Sequence, residues 1–329
     1  MMLGILFGLF FLLLFIGMPV AYGMVISAVV TLFFDPSLTG IIIPQKLFTG
    51  MDSFSLMAVP FFMLAGTLME KSGITDILVN WAKSLVGHFK GGLGHATIVT
   101  GVVMAGVSGS ANADTSALAS ILVPIMRKDG YDDGYSCALV SSCGALGPVI
   151  PPSIMMVLYS GVTSIAIGKL FMAGIIPGLV IAIGYMIVNG VYARKAGIPK
   201  SKFVGWKALG QDTLKALPAL IMPVIIIGGI LSGATTATEA GVVACVYSII
   251  YGFIRKTMNT KHVWECFKDA VHGTTNCMIV VVFAGIFGTL ATNYNLSKVV
   301  LAASQVFHGN PYLILIFISI ILYIAGMFI

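Results

Sequence analysis

The first charged side chain in this sequence is Asp35, and the 34 residues before it are all uncharged and mostly apolar. Such a stretch cannot be the surface of a soluble domain, whose exterior must be wetted. It is not alone. Apolar segments fall near 2–17, 20–34, 54–69, 93–107, 116–126, 135–149, 153–167, 170–192, 217–231, 238–254, 271–291 and 311–329. Several approach the ~20 residues that carry a helix across a hydrocarbon core. With 58% hydrophobic and 9% charged residues and a mean hydropathy of +1.02, the chain reads as an all-α polytopic membrane protein. Strands of a membrane barrel would alternate apolar and polar residues over ~10-residue segments, and these runs do not. A secretory signal would open on a basic region and close on a small-residue cleavage site. The opening residues have neither and read as membrane anchor. They could cross once as a kinked helix or twice.

The basic residues orient the chain. If Arg127 and Lys128 face the cytoplasm, then Lys71, Lys83, Lys90, Arg194, Lys195, Lys200, Lys202, Lys207, Lys215, Arg255, Lys256, Lys261 and Lys268 do so too. Only Lys46, Lys169 and Lys298 fall outside, a strong positive-inside bias. The net charge of +6 therefore reports topology and not a nucleic-acid partner. The five cysteines (137, 143, 245, 266 and 277) form no CxxC and are expected as small buried residues. The histidines (88, 95, 262, 272 and 308) lack ligand spacing, and no nucleophile sits beside a base, so no enzyme is indicated.

Two stretches, 73–90 and 295–310, are amphipathic and expected to lie at the interface. In the first, Ile74, Ile77, Leu78, Trp81 and Leu85 recur at helical spacing. The two stretches also resemble each other. Gly66-Thr67-Leu68 returns as Gly288-Thr289-Leu290, 222 residues on, and Gly73-Ile74-Thr75 meets Asn295-Leu296-Ser297 at the same offset. The order apolar helix, amphipathic helix, apolar entry is preserved, which points to an internal duplication. The charge assignment makes the copies inverted, a feature of secondary transporters. "AGV" at 105–107 meets "AGM" at 325–327, after which only Phe328 and Ile329 follow. The counterpart of 108–192 is therefore expected beyond Ile329. The organisation expected is 1–92, scaffold helices and interfacial arm; 93–168, transport hairpin and broken helix; 169–215, helix and linker; 216–329, the second repeat.

Within these apolar runs sit two polar interruptions. "SGSANADTS" (108–116) lies between segments 93–107 and 116–126, which read as a re-entrant hairpin. "GPVIPPS" (147–153) breaks the crossing 135–167 with Pro148, Pro151 and Pro152, which remove backbone donors and free carbonyls. Irregular backbone at membrane depth survives only where protein or a water-filled cavity satisfies it. Hydroxyls, a carboxylate and free carbonyls are what a hard cation such as sodium prefers, by analogy with calcium. The competing reading is plain helix packing by small residues, with Asp114 an N-cap for 116–126. In "SGATTATEAG" (232–241), Glu239 reads as a helix cap.

"GVSGSANADTSALASILVPIMRKDGY", "GPVIPPSIMMVLYSG", "IGKLFMAGIIPG" and "GATTATEAG" together resemble the large membrane subunit of tripartite ATP-independent periplasmic (TRAP) transporters, over essentially the whole chain. The resemblance implies an elevator-type, sodium-driven carrier in the bacterial inner membrane, with no catalytic residue and no cofactor beyond sodium as the coupling ion. It implies two protein partners, a small four-helix membrane subunit and a soluble periplasmic binding protein that delivers an organic anion such as a dicarboxylate or sialic acid. The family's sodium residues map to Ser108, Gly109, Ser110, Gly147, Ile150 and Pro152; Asn112, Asp114, Thr115 and Ser153 are further candidates at the tip or for substrate. The alternatives are a sodium/dicarboxylate symporter without a binding protein, and a non-transporting membrane scaffold.

Overall fold

The computed structural model describes residues 1–35, 40–200, 203–305, 307 and 310–327; Lys202, His308, Phe328 and Ile329, named above, lie outside the described residues. The helices are α1 Met2–Phe15, α2 Val20–Phe33, α3 Ile42–Met51, α4 Ala58–Lys71, α5 Ile74–Val86, α6 Gly92–Ser108, α7 Ala111–Lys128 and α8 Asp133–Gly144. They continue as α9 Ile154–Thr163, α10 Ile167–Lys195, α11 Trp206–Leu231, α12 Ala237–Ile254, α13 Thr260–Asn293, α14 Leu296–Gln305 and α15 Pro311–Gly326. Among the described residues the only strand-like feature is one bridge between Lys90 and Lys200. Among the described residues four helices, α10 to α13, are long and apolar enough to cross a membrane. Side chains such as Ile176, Ile183 and Ile187 on α10 are exposed, as lipid-facing residues are.

The chain forms two compact units, Met1–Ser53 with Thr275–Ile329, and Phe54–Thr274. In the first, α1 and α2 are separate helices. Gly17 takes a left-handed φ of +90° and Pro19 caps α2, so the run 2–34 is broken rather than kinked. Leu6, Ala28, Leu32, Ile286 and Leu290 form the core, and Phe7 packs edge-on against Phe287 at 5.2 Å. The helix α3 had no counterpart among the apolar segments read from the sequence.

In the second unit α4 packs along α12. The contact is close because Gly241 faces Phe61, and the Cys245 thiol donates to the Phe61 carbonyl at 3.1 Å. Cys143, Cys245 and Cys266 are buried as expected. Cys137 is exposed, because α8 turns Ser136, Leu139, Val140 and Cys143 inward and leaves Cys137 on the outer side. The helix α5 docks on α6 and α11. Its buried face is Ile74, Thr75, Leu78, Val79 and Ala82, while Leu85 is exposed. The face is rotated from the purely apolar one because Trp81 donates to Thr213 (3.2 Å) and Ser84 to Asp212 across to α11. Glu239 caps α12 in a reciprocal box with Thr236, as read from the sequence.

Two similar local geometries lie 222 residues apart. The helix α4 ends at Lys71 and α13 at Asn293; α5 begins at Ile74 and α14 at Leu296. Between them, Gly73 (φ +73°) and Asn295 (φ +65°) both take the left-handed conformation. Glycine adopts it freely, and asparagine is among the few other residues that tolerate it.

Candidate functional site

The helix α6 ends at Ser108, where Gly109 turns left-handed (φ +60°). Ser110 is extended (φ −120°, ψ 112°), and α7 starts at Ala111. The irregular part of the hairpin is thus two residues long, because the Asp114 N–H already donates to the Ser110 carbonyl at 3.1 Å. Asn112, Asp114 and Thr115 are helical, not loop. The N-cap is Ser110, so the reading of Asp114 as cap of a helix starting at 116 is corrected.

Asp114 instead projects from the first turn of α7, where the helix dipole favours negative charge. It is 1% exposed. Its Oδ1 accepts from the Ser108 hydroxyl at 2.6 Å, and that hydroxyl accepts from the Ser110 N–H at 3.1 Å. Its Oδ2 is buried with no hydrogen-bond partner.

The broken segment faces this turn. A methyl placed on Gly147 would lie 3.1 Å from the Ala111 nitrogen and 3.3 Å from the free Oδ2 of Asp114. A methyl on Gly109 would lie 2.6 Å from the Pro152 carbonyl oxygen. Only glycine lets these two backbones meet, and at Gly109 the left-handed φ demands it as well. Gly144 similarly abuts Thr115. Between α8 and α9, no backbone N–H among the described residues donates to the carbonyls of Gly147, Val149, Ile150, Pro151 or Pro152. Ile150 is itself held by its N–H to the Leu146 carbonyl at 2.8 Å.

The structure therefore brings Ser108, Gly109, Ser110, Asp114, Gly147 and Pro152 to one junction. Asn112 points outward and is exposed. Ser153 is fully buried, and its hydroxyl is already used, donating to the Pro148 carbonyl (2.7 Å) and capping α9 at Met156 (3.4 Å). These bonds make it part of the break itself.

Two contributors were not read from the sequence. Gly66 of α4 backs the turn, its Cβ position 3.2 Å from the Ser108 Cα. Glu70, one turn on, lines with Asp114, Ser108 and Met104 a cavity of about 10 Å³, the room of about one water. The signals were present, a carboxylate in the last turn of a largely apolar helix and a glycine within the recurring Gly-Thr-Leu. Among the described residues no three His, Cys, Asp or Glu side chains converge as a metal site.

The sequence matches the description "Tripartite ATP-independent periplasmic transporter, DctM component" over residues 7–329. The chain belongs to this DctM family. It is similar to the sialic acid TRAP transporter large permease protein SiaM of Vibrio cholerae, 37% identical over 96% of this chain and 74% of that one. To the sialic acid TRAP transporter permease protein SiaT of Haemophilus influenzae it is 34% identical over 96% of its own length, spanning about half (52%) of that relative. To the C4-dicarboxylate TRAP transporter large permease protein DctM of Pseudomonas aeruginosa it is 35% identical over 86% of this chain and 66% of the other. The hairpin and break described above are thus features of a DctM-family permease of the inner membrane.

Proposed function

We propose that this chain carries out sodium-coupled uptake of an organic anion, handed over by a soluble periplasmic binding protein and with a small membrane subunit as its partner in the bilayer. The observation that carries this reading is the buried Asp114 carboxylate oxygen without a partner, held against the carbonyl-rich break at Gly147. Sodium entering there would be met by one charged oxygen, the Ser108 and Ser110 hydroxyls, and carbonyls of the broken segment between Gly147 and Pro152. Several oxygens held together offset the cost of stripping its water. The ion would also complete the hydrogen-bonding and charge balance that the protein leaves open.

Coupling requires that sodium favour one conformation over another. An ion between the hairpin turn and the break would pin two elements that share no hydrogen bond there among the described residues, and so prepare the tip for substrate. In the elevator reading, residues 93–168 move as a unit against the scaffold, and α4–α5 and α13–α14 are inverted copies. The substrate class rests on the relatives. The names of two specify sialic acid and that of a third a C4-dicarboxylate, all carboxylates, and this chain is assigned to the same class.

The test is uptake into proteoliposomes by the complete complex across a range of sodium concentrations. Ser108→Ala with Ser110→Ala should weaken sodium dependence more than it weakens assembly. Unchanged sodium dependence would return the tip to a packing role. Uptake that persists without the binding protein would instead select the sodium/dicarboxylate symporter that works without one.

A further inference from the structure

Among the described residues, two of the clefts on the side that the basic residues mark as cytoplasmic carry several charged side chains. One, of about 600 Å³, sets Lys83, Lys215 and Arg255 against Asp129 and Asp212, so its charges are largely balanced from within. The other, of about 560 Å³, is lined by Lys90, His95, Arg194 and Lys200 with Phe89 and Met186, and among the described residues no acidic side chain lines it.

Its basic residues are placed by the fold, not scattered. Lys90 and Lys200, 110 positions apart in the sequence, are partners in the backbone bridge. Like charges set opposite each other in this way repel. Neither they nor Arg194 has a carboxylate within ion-pair distance among the described residues. The loop carrying Lys90 is tied to α10 next to Arg194. The Asn189 amide donates to the Gly91 carbonyl at 3.0 Å, and Gly91, left-handed at φ +73°, packs against Ala193. The repulsion is therefore built in and held.

The cleft also lies where a helix leaves the membrane. Met186, Gly190 and Arg194 form one stripe of α10, and the exposed Ile183 and Ile187 flank it on the lipid-facing side. A ligand matching these features has an anionic head to sit between Lys90, Arg194 and Lys200, and an apolar body to follow Phe89, Met186 and the isoleucines. We propose that this cleft binds the headgroup of an anionic phospholipid of the cytoplasmic leaflet. Basic pockets between membrane helices on this side are the places where such headgroups are recognised.

Native mass spectrometry of the purified full chain with phosphatidylglycerol or phosphatidylcholine tests this. Phosphatidylglycerol should be retained in preference. Lys90→Gln with Arg194→Gln and Lys200→Gln should weaken retention by about tenfold or more. A control triple of the same sign, Lys256→Gln with Lys261→Gln and Lys268→Gln, should leave it unchanged. Equal loss in both triples would reduce the effect to general surface charge and overturn the site. Displacement of the lipid by millimolar inorganic phosphate would overturn a lipid ligand in favour of a soluble one. Should the first triple not fold, a photoactivatable phosphatidylglycerol on the unaltered chain decides. Adducts should concentrate in 86–95 and 186–200, and adducts spread evenly over the exposed helices would refute the proposal.

Discussion

The two ends of the α6–α7 hairpin are built on opposite terms. At the base, Asn189 is fully buried, yet its amide is used twice, donating to the Gly91 carbonyl at 3.0 Å and accepting from the Tyr135 hydroxyl at 3.3 Å. The Tyr131 hydroxyl accepts from the Gly94 N–H at 3.2 Å, and the rings of Tyr131, Tyr135 and Tyr192 stack. At the tip, the Asp114 carboxylate has one oxygen satisfied by Ser108 and one by nothing, beside a run of carbonyls without backbone donors. Native interiors seldom leave buried polar groups unpaired, because each costs about 1–3 kcal/mol. One end of the hairpin is therefore satisfied by the chain itself, while at the other an Asp114 oxygen has no partner among the described residues, and under the proposed function an ion would complete it. A fixed base and an incomplete tip suit a device in which an ion decides whether the hairpin and the break act together.

Substitutions can break or sharpen this contrast. The largest effect should come from the base. Asn189→Leu takes one of two donors from the Gly91 carbonyl, which keeps the His95 N–H at 3.1 Å, and removes the acceptor of the half-buried Tyr135 hydroxyl. It should lower the stability of the purified protein by roughly 1–3 kcal/mol, seen as a lower melting temperature in detergent. The increment in melting temperature produced by sodium should survive. If that increment vanished instead, base and tip would not be separable.

Asp114→Asn should act the other way. Without sodium it removes an unpaired buried charge and should leave the protein as stable as before, or more stable by about 1 kcal/mol. The response to sodium should disappear, where an intact site at a hundredfold excess over Kd would add about 2.7 kcal/mol. A strong loss of stability in sodium-free buffer would show that the carboxylate is structural.

Gly147→Ala is subtler. The added methyl, 3.1 Å from the Ala111 nitrogen, must push the break from the turn by a few tenths of an ångström. A cost of about 1 kcal/mol in stability is expected, with a weaker sodium affinity in the same melting experiment. An unaltered affinity would place the ion away from this contact. Smallest of all, Asp133→Asn at the base removes a fully exposed pair with Arg127 (2.7 Å). It should leave melting unchanged within error, because solvent screens such pairs; a clear shift would mean that the surface of the base matters as much as its interior.

Much of this was legible in the residues. Most of the helices follow from apolar runs and the cap of α12 from a Thr-x-x-Glu pattern, whereas the division of α1 from α2 was left open and α3 was not read. The hairpin and the break were readable because glycine and proline announce irregular backbone locally. The extent of the irregularity was not. The polarity of Asn112, Asp114 and Thr115 suggested a longer loop than the two residues found, since helical first turns also welcome such side chains.

By itself the sequence determined the all-helical, membrane-apolar character of the chain, the places of the hairpin turn and the proline break, and the membership of the DctM family. These depend on hydropathy and on dihedral preferences that act within a few residues. Only the tertiary structure decided that Asp114 holds Ser108 and leaves an oxygen facing Gly147, that Asn189 closes the far end, and that Lys90 meets Lys200. Each of these joins residues in different elements, and a side chain's partners across a helix interface are set by how the helices dock. In a chain this apolar, many docking faces look alike to hydropathy. The few polar atoms that must be satisfied, or left unsatisfied, show their roles only once the packing is in place.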